Sequence, residues 1–326
     1  MTDMPLPRRR GVMLALLVSL RPKQWTKNLL LFAGLLFTLD QPPRVPHPVQ
    51  NAALGFLLFS LLSSVVYLVN DLADRESDRN HPKKCRRPIA AGELSPTLAM
   101  AAAITLGIVS LSAAFKLSVS FGWVAVVYFL ITLAYSFRLK HVVILDVLTL
   151  AAGFVLRAIA GAFVINVHIS DWLILCTLML ALFLGLSKRR AELIAIQETG
   201  TVGTRRILDE YSPAMLDQMI VIVTSACLMS YALYTVNSET AHAHRFLMAT
   251  IPFVIYGIFR YLYLMHRHSL GESPDAVLLE DRPMLVNALL WGFATALIVL
   301  NVPIKLFALL PHCVFCVYVS LLPGKS

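Results

Sequence analysis

Long apolar runs recur from one end of this chain to the other, and they restrict its fold more than any single motif does. Crossing the hydrocarbon core of a bilayer takes about 20 consecutive, mostly apolar residues of helix. Runs near that length lie at 25–39, 49–69, 95–115, 118–136, 143–166, 171–187, 213–236, 245–265 and 284–301. Lipid offers backbone amides no partner, so each run must satisfy its own hydrogen bonds as a helix. With 58% of its 326 residues hydrophobic and 14% charged, the composition is foreign to a soluble domain of this size. The expectation is an all-α, polytopic membrane protein of about nine transmembrane helices. Residues 1–303 should form one domain, and 304–326 a hydrophobic extension whose run 304–322 is barely adequate for a further crossing. Gly11 to Leu20, short and followed by Arg21 and Pro22, reads as an interfacial helix rather than a cleaved leader.

Lys and Arg are divided unequally between the two sides of these spans. Arg8, Arg9, Arg10, Arg21, Lys23 and Lys27 precede or open the first span, Arg75, Arg79, Lys83, Lys84, Arg86 and Arg87 follow the second, and Lys188, Arg189 and Arg190 follow the sixth. The loops between spans on the opposite side hold only Arg44, Lys116 and Arg245. Positive charge is retained in the cytoplasm, so the N-terminus and the basic face are expected there, at an inner membrane. Topology alone accounts for part of this bias. The cysteines, Cys85, Cys176, Cys227, Cys313 and Cys316, form no disulfide framework, and a metal reading of His312-Cys313-Val-Phe-Cys316 lacks a second ligand pair.

The carboxylates on the basic face need another explanation. Asn70-Asp71-Leu-Ala-Asp74-Arg-Glu-Ser-Asp78 is the densest acidic cluster in the chain. On a helix continuing past the lipid boundary, Asn70, Asp74 and Asp78 stack at successive turns with Asp71 flanking them. Carboxylates so spaced repel each other, and Pro82 implies a nearby helix C-terminus, which disfavours anions. A divalent cation relieves both costs. Hard oxygen ligands suit Mg²⁺, which takes one or two carboxylates together with phosphate oxygens and waters. The competing reading is a solvated helix end whose aspartates pair with Arg75 and Arg79.

Cations crowd this cluster. Lys83-Lys84-Cys-Arg86-Arg87-Pro88 follows it directly, and carboxylates beside a basic strip suit a metal-bound diphosphate. Anionic lipid headgroups would suit the strip as well. Lys27 and Asn28 open the first span behind Trp25, an apparent interfacial anchor, while Tyr135-Ser136-Phe-Arg138-Leu-Lys140 closes the fourth. Arg157 lies within the fifth span, where an ionised side chain faces the bundle interior and a partner. Lys188 and Glu192 share one face of a helical continuation that Gly200 should stop. Small residues between Ala99 and Ala114 leave helix-mediated self-association open. No Rossmann or P-loop glycine pattern is present, and no nucleic-acid partner is expected.

Together these motifs resemble the UbiA-type intramembrane prenyltransferase superfamily over nearly the whole chain. Asn70-Asp71-x-x-Asp74-x-x-x-Asp78 is similar to its first aspartate-rich motif, with Lys84 to Pro88 and Tyr135-Ser136-x-x-x-Lys140 at familiar intervals. The resemblance implies nine helices around a central cavity, with Mg²⁺ held by Asn70, Asp71, Asp74 and Asp78 under cytoplasmic loops. Ordinary members carry a second aspartate-rich motif after span six. Here Lys188-Arg189-Arg190-Ala-Glu192-Leu stands in its place, similar to the branch that transfers phosphoribose onto decaprenyl phosphate for cell-wall arabinan precursors, and Gly271-Glu272-Ser-Pro-Asp275 with Asp281-Arg282 points the same way. That implies phosphoribosyl diphosphate as donor, a polyprenyl phosphate in the surrounding lipid as acceptor, and catalytic roles for Asp71, Asp74, Asp78, Lys188 and Arg189. Lys27, Asn28, Asn70, Lys84, Arg87, Tyr135, Lys140, Arg157 and Glu192 are then the candidates for holding substrate. A conventional prenyl-diphosphate-dependent transferase and a membrane transporter are the competing classes.

Overall fold

In the computed structural model, residues 11–36, 43–79, 84–199, 206–268 and 280–300 are described, and they contain helices and turns but no strand. Gly271, Glu272, Asp275, Lys83, Gly200 and the run 304–322 lie outside them. The chain opens with α1 (Val12–Ser19), eight residues with an apolar exposed surface, too short to cross a bilayer. A 3-10 helix (Pro22–Phe32) leads into α2 (Ala33–Leu36). Next come α3 (Pro48–Ala73), the short α4 (Arg75–Arg79), α5 (Pro96–Leu117), α6 (Val119–Phe137), α7 (Leu145–Val164) and α8 (Asp171–Thr199). The remaining elements are α9 (Pro213–Asn237), the short α10 (Glu239–Ala243), α11 (Ile251–His268) and α12 (Arg282–Val299).

Eight helices among the described residues are long and apolar enough to span a membrane: α3, α5, α6, α7, α8, α9, α11 with the residues just before it, and α12. The first expected span, 25–39, differs in kind. Most of it is wound as a 3-10 helix, which rises about 2.0 Å per residue against about 1.5 Å in an α-helix. Residues 22–36 therefore extend about 28 Å, close to the thickness of a hydrocarbon core at about 30 Å. Contact with α7 accompanies this winding. A Cβ on Gly161 would run into the Leu31 carbonyl, and one on Gly34 would lie 3.4 Å from the Ala162 backbone.

Helix starts follow local chemistry. Ser95, Ser212 and Asp281 each accept a backbone N–H with the side chain, from Leu98, Met215 and Met284, and each precedes a proline at the first or second helical position. Side-chain oxygen satisfies an orphan donor while proline occupies a position that needs none. The core divides along the sequence. Leu31, Phe59, Leu62, Phe121 and Tyr128 pack together in the N-terminal half, while Phe183, Leu216, Ile220, Ile258 and Tyr261 do so in the C-terminal half. Part of the small-residue stretch of α5 is used internally: Ala99, Ala103, Gly107, Ser110 and Ala114 are buried, with Ala99 and Ala103 packed beside Val65 and Leu68 of α3, while Ala101 and Ser112 are exposed.

Candidate active site

Alternation of the helices brings the C-terminal ends of α3, α6 and α8 and the N-terminal end of α7 to one membrane face, and the predicted carboxylates and cations meet there. Helix α3 ends at Ala73, with Asp74 as its C-cap, and α4 begins one residue later. The expected uninterrupted helix is therefore broken within the motif, although Asp74 and Asp78 still donate their N–H groups to the carbonyls of Asn70 and Asp74 at 2.9 and 2.8 Å. Asp71 and Asp78 are 2% exposed, whereas Asn70 and Asp74 are half-buried.

Lys84 and Arg87 of the basic strip that follows the motif, together with the distant Arg21 and Lys140, pair with these carboxylates, and the neighbours Arg75 and Arg79 do not. Arg87 donates through one nitrogen, Nη1, to Asp71 Oδ1 at 2.9 Å and to Asp78 Oδ2 at 2.6 Å. Arg21 Nη2 donates to the same Asp71 oxygen at 2.5 Å while its guanidinium lies over the Tyr67 ring. Lys84 Nζ stands 3.9 Å from Asp78, and Lys140 Nζ donates to Asp74 at 3.5 Å. Arg21 occupies the left-handed region, with φ 53°, as the cap of the 3-10 helix. That conformation is costly for a residue with a Cβ. The four oxygen ligands expected to converge are thus divided: Asp71 and Asp78 point at Arg87, and Asp74 turns to Lys140. Among the described residues no group of three His, Cys, Asp or Glu side chains is placed to share one metal ion.

A second cluster lies where α8 leaves the membrane. Arg189 is 1% exposed. Its Nε donates to Asp146 Oδ2 at 2.6 Å, Nη1 to Glu192 Oε2 at 2.6 Å and Nη2 to the Tyr135 hydroxyl at 3.3 Å. Lys188, the more accessible of the two cations, reaches Glu192 at 4.0 Å. Asp146 is fully buried and its other oxygen accepts from the Tyr211 hydroxyl at 2.9 Å, which itself accepts the Ile144 N–H at 2.8 Å. Burial, reinforced by the hydrogen bond to Asp146, pushes the Tyr211 hydroxyl up to about 12. Residues 135–146 join the two clusters: Lys140 reaches the aspartates on one side, and Tyr135 and Asp146 reach Arg189 on the other.

Deeper in the bundle, Arg157 is 7% exposed and makes neutral contacts. It donates to Asn28 Oδ1 at 2.7 Å, the Gly153 carbonyl at 2.9 Å and the Tyr128 hydroxyl at 2.9 Å, and it lies over the Tyr128 and Phe154 rings. Asn28 in turn donates to Ser60 and Ser63 of α3. Lys27 is half-buried beside it. Trp25 is more than an interfacial anchor, because its indole N–H donates to Ser64 at 3.0 Å. Two cavities stand apart from these clusters. One of about 230 Å³ at the opposite helix ends is lined by Arg44, Asp171, Tyr234 and Glu239 among others, and an apolar one of about 250 Å³ lies between α3, α5 and α6.

Arg21, Asp146 and Tyr211 enter the site network although none was among the residues expected to hold metal or substrate. Asp146 carried a usable signal, a carboxylate just inside an apolar run, which calls for a partner in the bundle. Tyr211 carried none, since its role depends on a contact with a residue 65 positions away. Cys85, Cys176 and Cys227 are free thiols. The motif residue Asp281 forms a two-pronged ion pair with Arg260 of α11, at 2.8 and 3.1 Å, at the start of α12.

Comparison with known proteins places this geometry in context. The profile of the UbiA prenyltransferase family matches residues 29–279. A decaprenyl-phosphate phosphoribosyltransferase of Mycobacterium tuberculosis is 35% identical over 275 residues, which cover 84% of this chain and 90% of that protein. The protein of the same name from Corynebacterium glutamicum is 34% identical over 290 residues, covering 87% and 86% of the two chains. Among solved structures, a UbiA homolog from Archaeoglobus fulgidus bound to GPP and Mg²⁺ superposes with a TM-score of 0.68 at 21% identity, covering 88% of this chain and all of that one.

Proposed function

This chain belongs to the UbiA prenyltransferase family, and from that premise we propose that it transfers the 5-phosphoribosyl group of phosphoribosyl diphosphate to a polyprenyl phosphate, decaprenyl phosphate in particular, with release of diphosphate. The observation that carries this reading is the pairing of unlike clusters on one face. A carboxylate group at 71–78 is joined through residues 135–146 to a cationic helix end at 188–189, where a conventional prenyl-diphosphate enzyme has a second acidic motif. One substrate needs both: its diphosphate suits a metal held by carboxylates, and its 5-phosphate suits cations. The names of the relatives support the same donor and acceptor.

The donor set suits Mg²⁺. Asp71 and Asp78 already direct oxygens to a single cationic nitrogen and would serve as the one or two carboxylates that Mg²⁺ takes, while Asp74 would join them on leaving Lys140. Bound there, Mg²⁺ would offset the charge that develops on the departing diphosphate. Lys84, Arg87 and Lys140 donate to the diphosphate oxygens. Lys188 takes the 5-phosphate, with Arg189 fixed behind it as a buried positive charge. Arg157 is a positioning residue: it holds Asn28 against Ser60 and Ser63 of α3, deeper in the bundle than the carboxylates, while Lys27 and Tyr135, which touches Arg189, are candidates nearer the substrate. Glu192 pairs with both cations, tightly with Arg189 at 2.6 Å and loosely with Lys188 at 4.0 Å.

In the transfer itself, the bond from ribose C1 to the diphosphate oxygen breaks as a phosphate oxygen of the lipid forms a new bond to C1 from the opposite face. The anomeric centre is inverted. No strong base is required, because the lipid phosphate is already anionic. The cations bring two anions together that would otherwise repel, and they hold them at the reacting distance. The isoprenoid tail stays in the bilayer. We place the site and the N-terminus on the cytoplasmic side of the inner membrane, and the product in the supply of cell-wall arabinan precursors.

Mass spectrometry of the lipid product tests this. Purified protein in lipid nanodiscs is given phosphoribosyl diphosphate and decaprenyl phosphate, or in parallel a prenyl diphosphate and an aromatic acceptor. The expected outcome is a phosphoribosylated lipid in the first arm, abolished by EDTA and reduced at least ~100-fold in folded Asp78→Asn. Product only in the second arm would replace this reading with conventional prenyl transfer. Anion or lipid flux without product in either arm would make the chain a transporter.

A further inference from the structure

Arg87 stands where the proposed function needs another cation. Its Nη1 lies between Asp71 Oδ1 and Asp78 Oδ2, at 2.9 and 2.6 Å, and both carboxylates are 2% exposed. A divalent ion that took the same two oxygens as ligands would bind them at about 2.0–2.1 Å, and no guanidinium N–H could remain between them. Metal binding through these two oxygens therefore has to break both ion pairs of Arg87. Arg21 still neutralises part of Asp71 from the other side, which weakens a metal that arrives alone.

The expelled guanidinium then needs an anion, because an unpaired charge in this half-buried position is costly. A diphosphate supplies one, with oxygens suited to a forked donor. The segment is built for such an exchange. Arg87 is followed by buried Pro88, Ile89 and Ala90, whose turn is held by the N–H groups of Glu93 and Leu94 bonded to the Pro88 carbonyl. Its backbone is thus anchored while its side chain, 25% exposed, can pivot. Metal supplies the positive charge the carboxylates lose, and diphosphate supplies the negative charge the arginine lacks. Metal alone would leave Arg87 without an anion, and diphosphate alone would leave Asp71 to Arg21 and Asp78 to a looser Lys84 at 3.9 Å.

We propose that Arg87 is an exchangeable counter-ion, holding Asp71 and Asp78 together until a metal ion takes its place and then turning onto the diphosphate, so that metal and diphosphate bind weakly alone and strongly together. This rests on the reading of 71–78 as the metal and diphosphate site, and it adds the order and coupling of binding there. It also protects the site, since free divalent ions would not fill it without substrate.

Binding measurements test the exchange without turnover. Full-length protein in nanodiscs is titrated with Mn²⁺, read by electron paramagnetic resonance, with and without saturating inorganic pyrophosphate, and protein-free controls account for the solution complex. Wild type should bind Mn²⁺ at least ~10-fold more tightly when pyrophosphate is present. Arg87→Gln should bind Mn²⁺ alone ~10-fold more tightly than wild type, and pyrophosphate should add little further affinity. Wild type that binds Mn²⁺ equally well with and without pyrophosphate overturns the proposal, and so does Arg87→Gln that binds Mn²⁺ no more tightly than wild type. If the variant does not fold, the wild-type comparison decides alone. Asp78→Asn separates this from the underlying reading: Mn²⁺ binding that survives it removes the metal site itself, whereas binding lost in Asp78→Asn but uncoupled from pyrophosphate removes only the exchange.

Discussion

Arg189 is committed on three edges, to Asp146, Glu192 and Tyr135, and its partner Asp146 is fully buried. Arg189→Met leaves that carboxylate without its ion pair and should cost about 3–5 kcal/mol of stability. Combining it with Asp146→Leu should return much of the loss, because removing both charges is far cheaper than stranding one. Thermal unfolding of the single and double variants in detergent measures both. Tyr211 gives a pH signature at the same place. Its hydroxyl is raised to about 12 when folded, above the usual value near 10. The proton is therefore held more tightly by the folded chain, so this contribution is complete below about pH 10 and is lost as pH rises toward about 12. Tyr211→Phe should flatten the fall in unfolding temperature across that window. Spacing alone singled out Asp71, Asp74 and Asp78 as a group. It could not identify Arg21 and Arg87 as their partners, since ion pairing depends on which segments the fold brings within 4 Å.

Between elements, contact distance decides what residue patterns leave open. Gly161 lets α7 touch the 3-10 helix at Leu31, where any Cβ would meet the carbonyl. Gly161→Ala should cost about 1–3 kcal/mol through overpacking and separate the two segments. Gly107→Ala is the contrast. Its new Cβ would meet only Val65 at 3.8 Å, an ordinary contact, so the thermal midpoint should hold or rise slightly in a helix interior. Side-by-side melting curves of the two variants check this. The starts of α5, α9 and α12 could be read from Ser-Pro and Asp-x-Pro sequences, because a cap is satisfied within four residues. The winding of 22–32 could not, since Lys23, Gln24, Thr26, Lys27 and Asn28 are followed only by Leu29 to Phe32, too few repeats to distinguish three residues per turn from 3.6.

Across the whole molecule, the alternation of spans sets which loops share a face, and the charge bias is the ground for proposing that the basic face is cytoplasmic. In a background with the native cysteines replaced by serine, an exposed cysteine introduced by Glu210→Cys should react with a membrane-impermeant maleimide in inverted vesicles and stay unlabelled in intact cells. His168→Cys, at the opposite helix ends, should show the reverse; the same pattern for both would contradict the assigned orientation. The apolar runs by themselves determined an all-helical membrane protein, and the order of runs and charged loops determined that residues 21–28, 70–87, 135–146 and 188–192 would lie on one side. Hydrophobicity and length suffice for this, because lipid leaves a spanning chain few alternatives. Only the tertiary structure decided that Asp71 and Asp78 share one arginine nitrogen, that Asp74 answers to Lys140, and that Arg189 is enclosed while Lys188 remains accessible. Those outcomes depend on helix rotation and approach to within an ångström, and side-chain charge changes partner over that distance without leaving a mark on the local sequence.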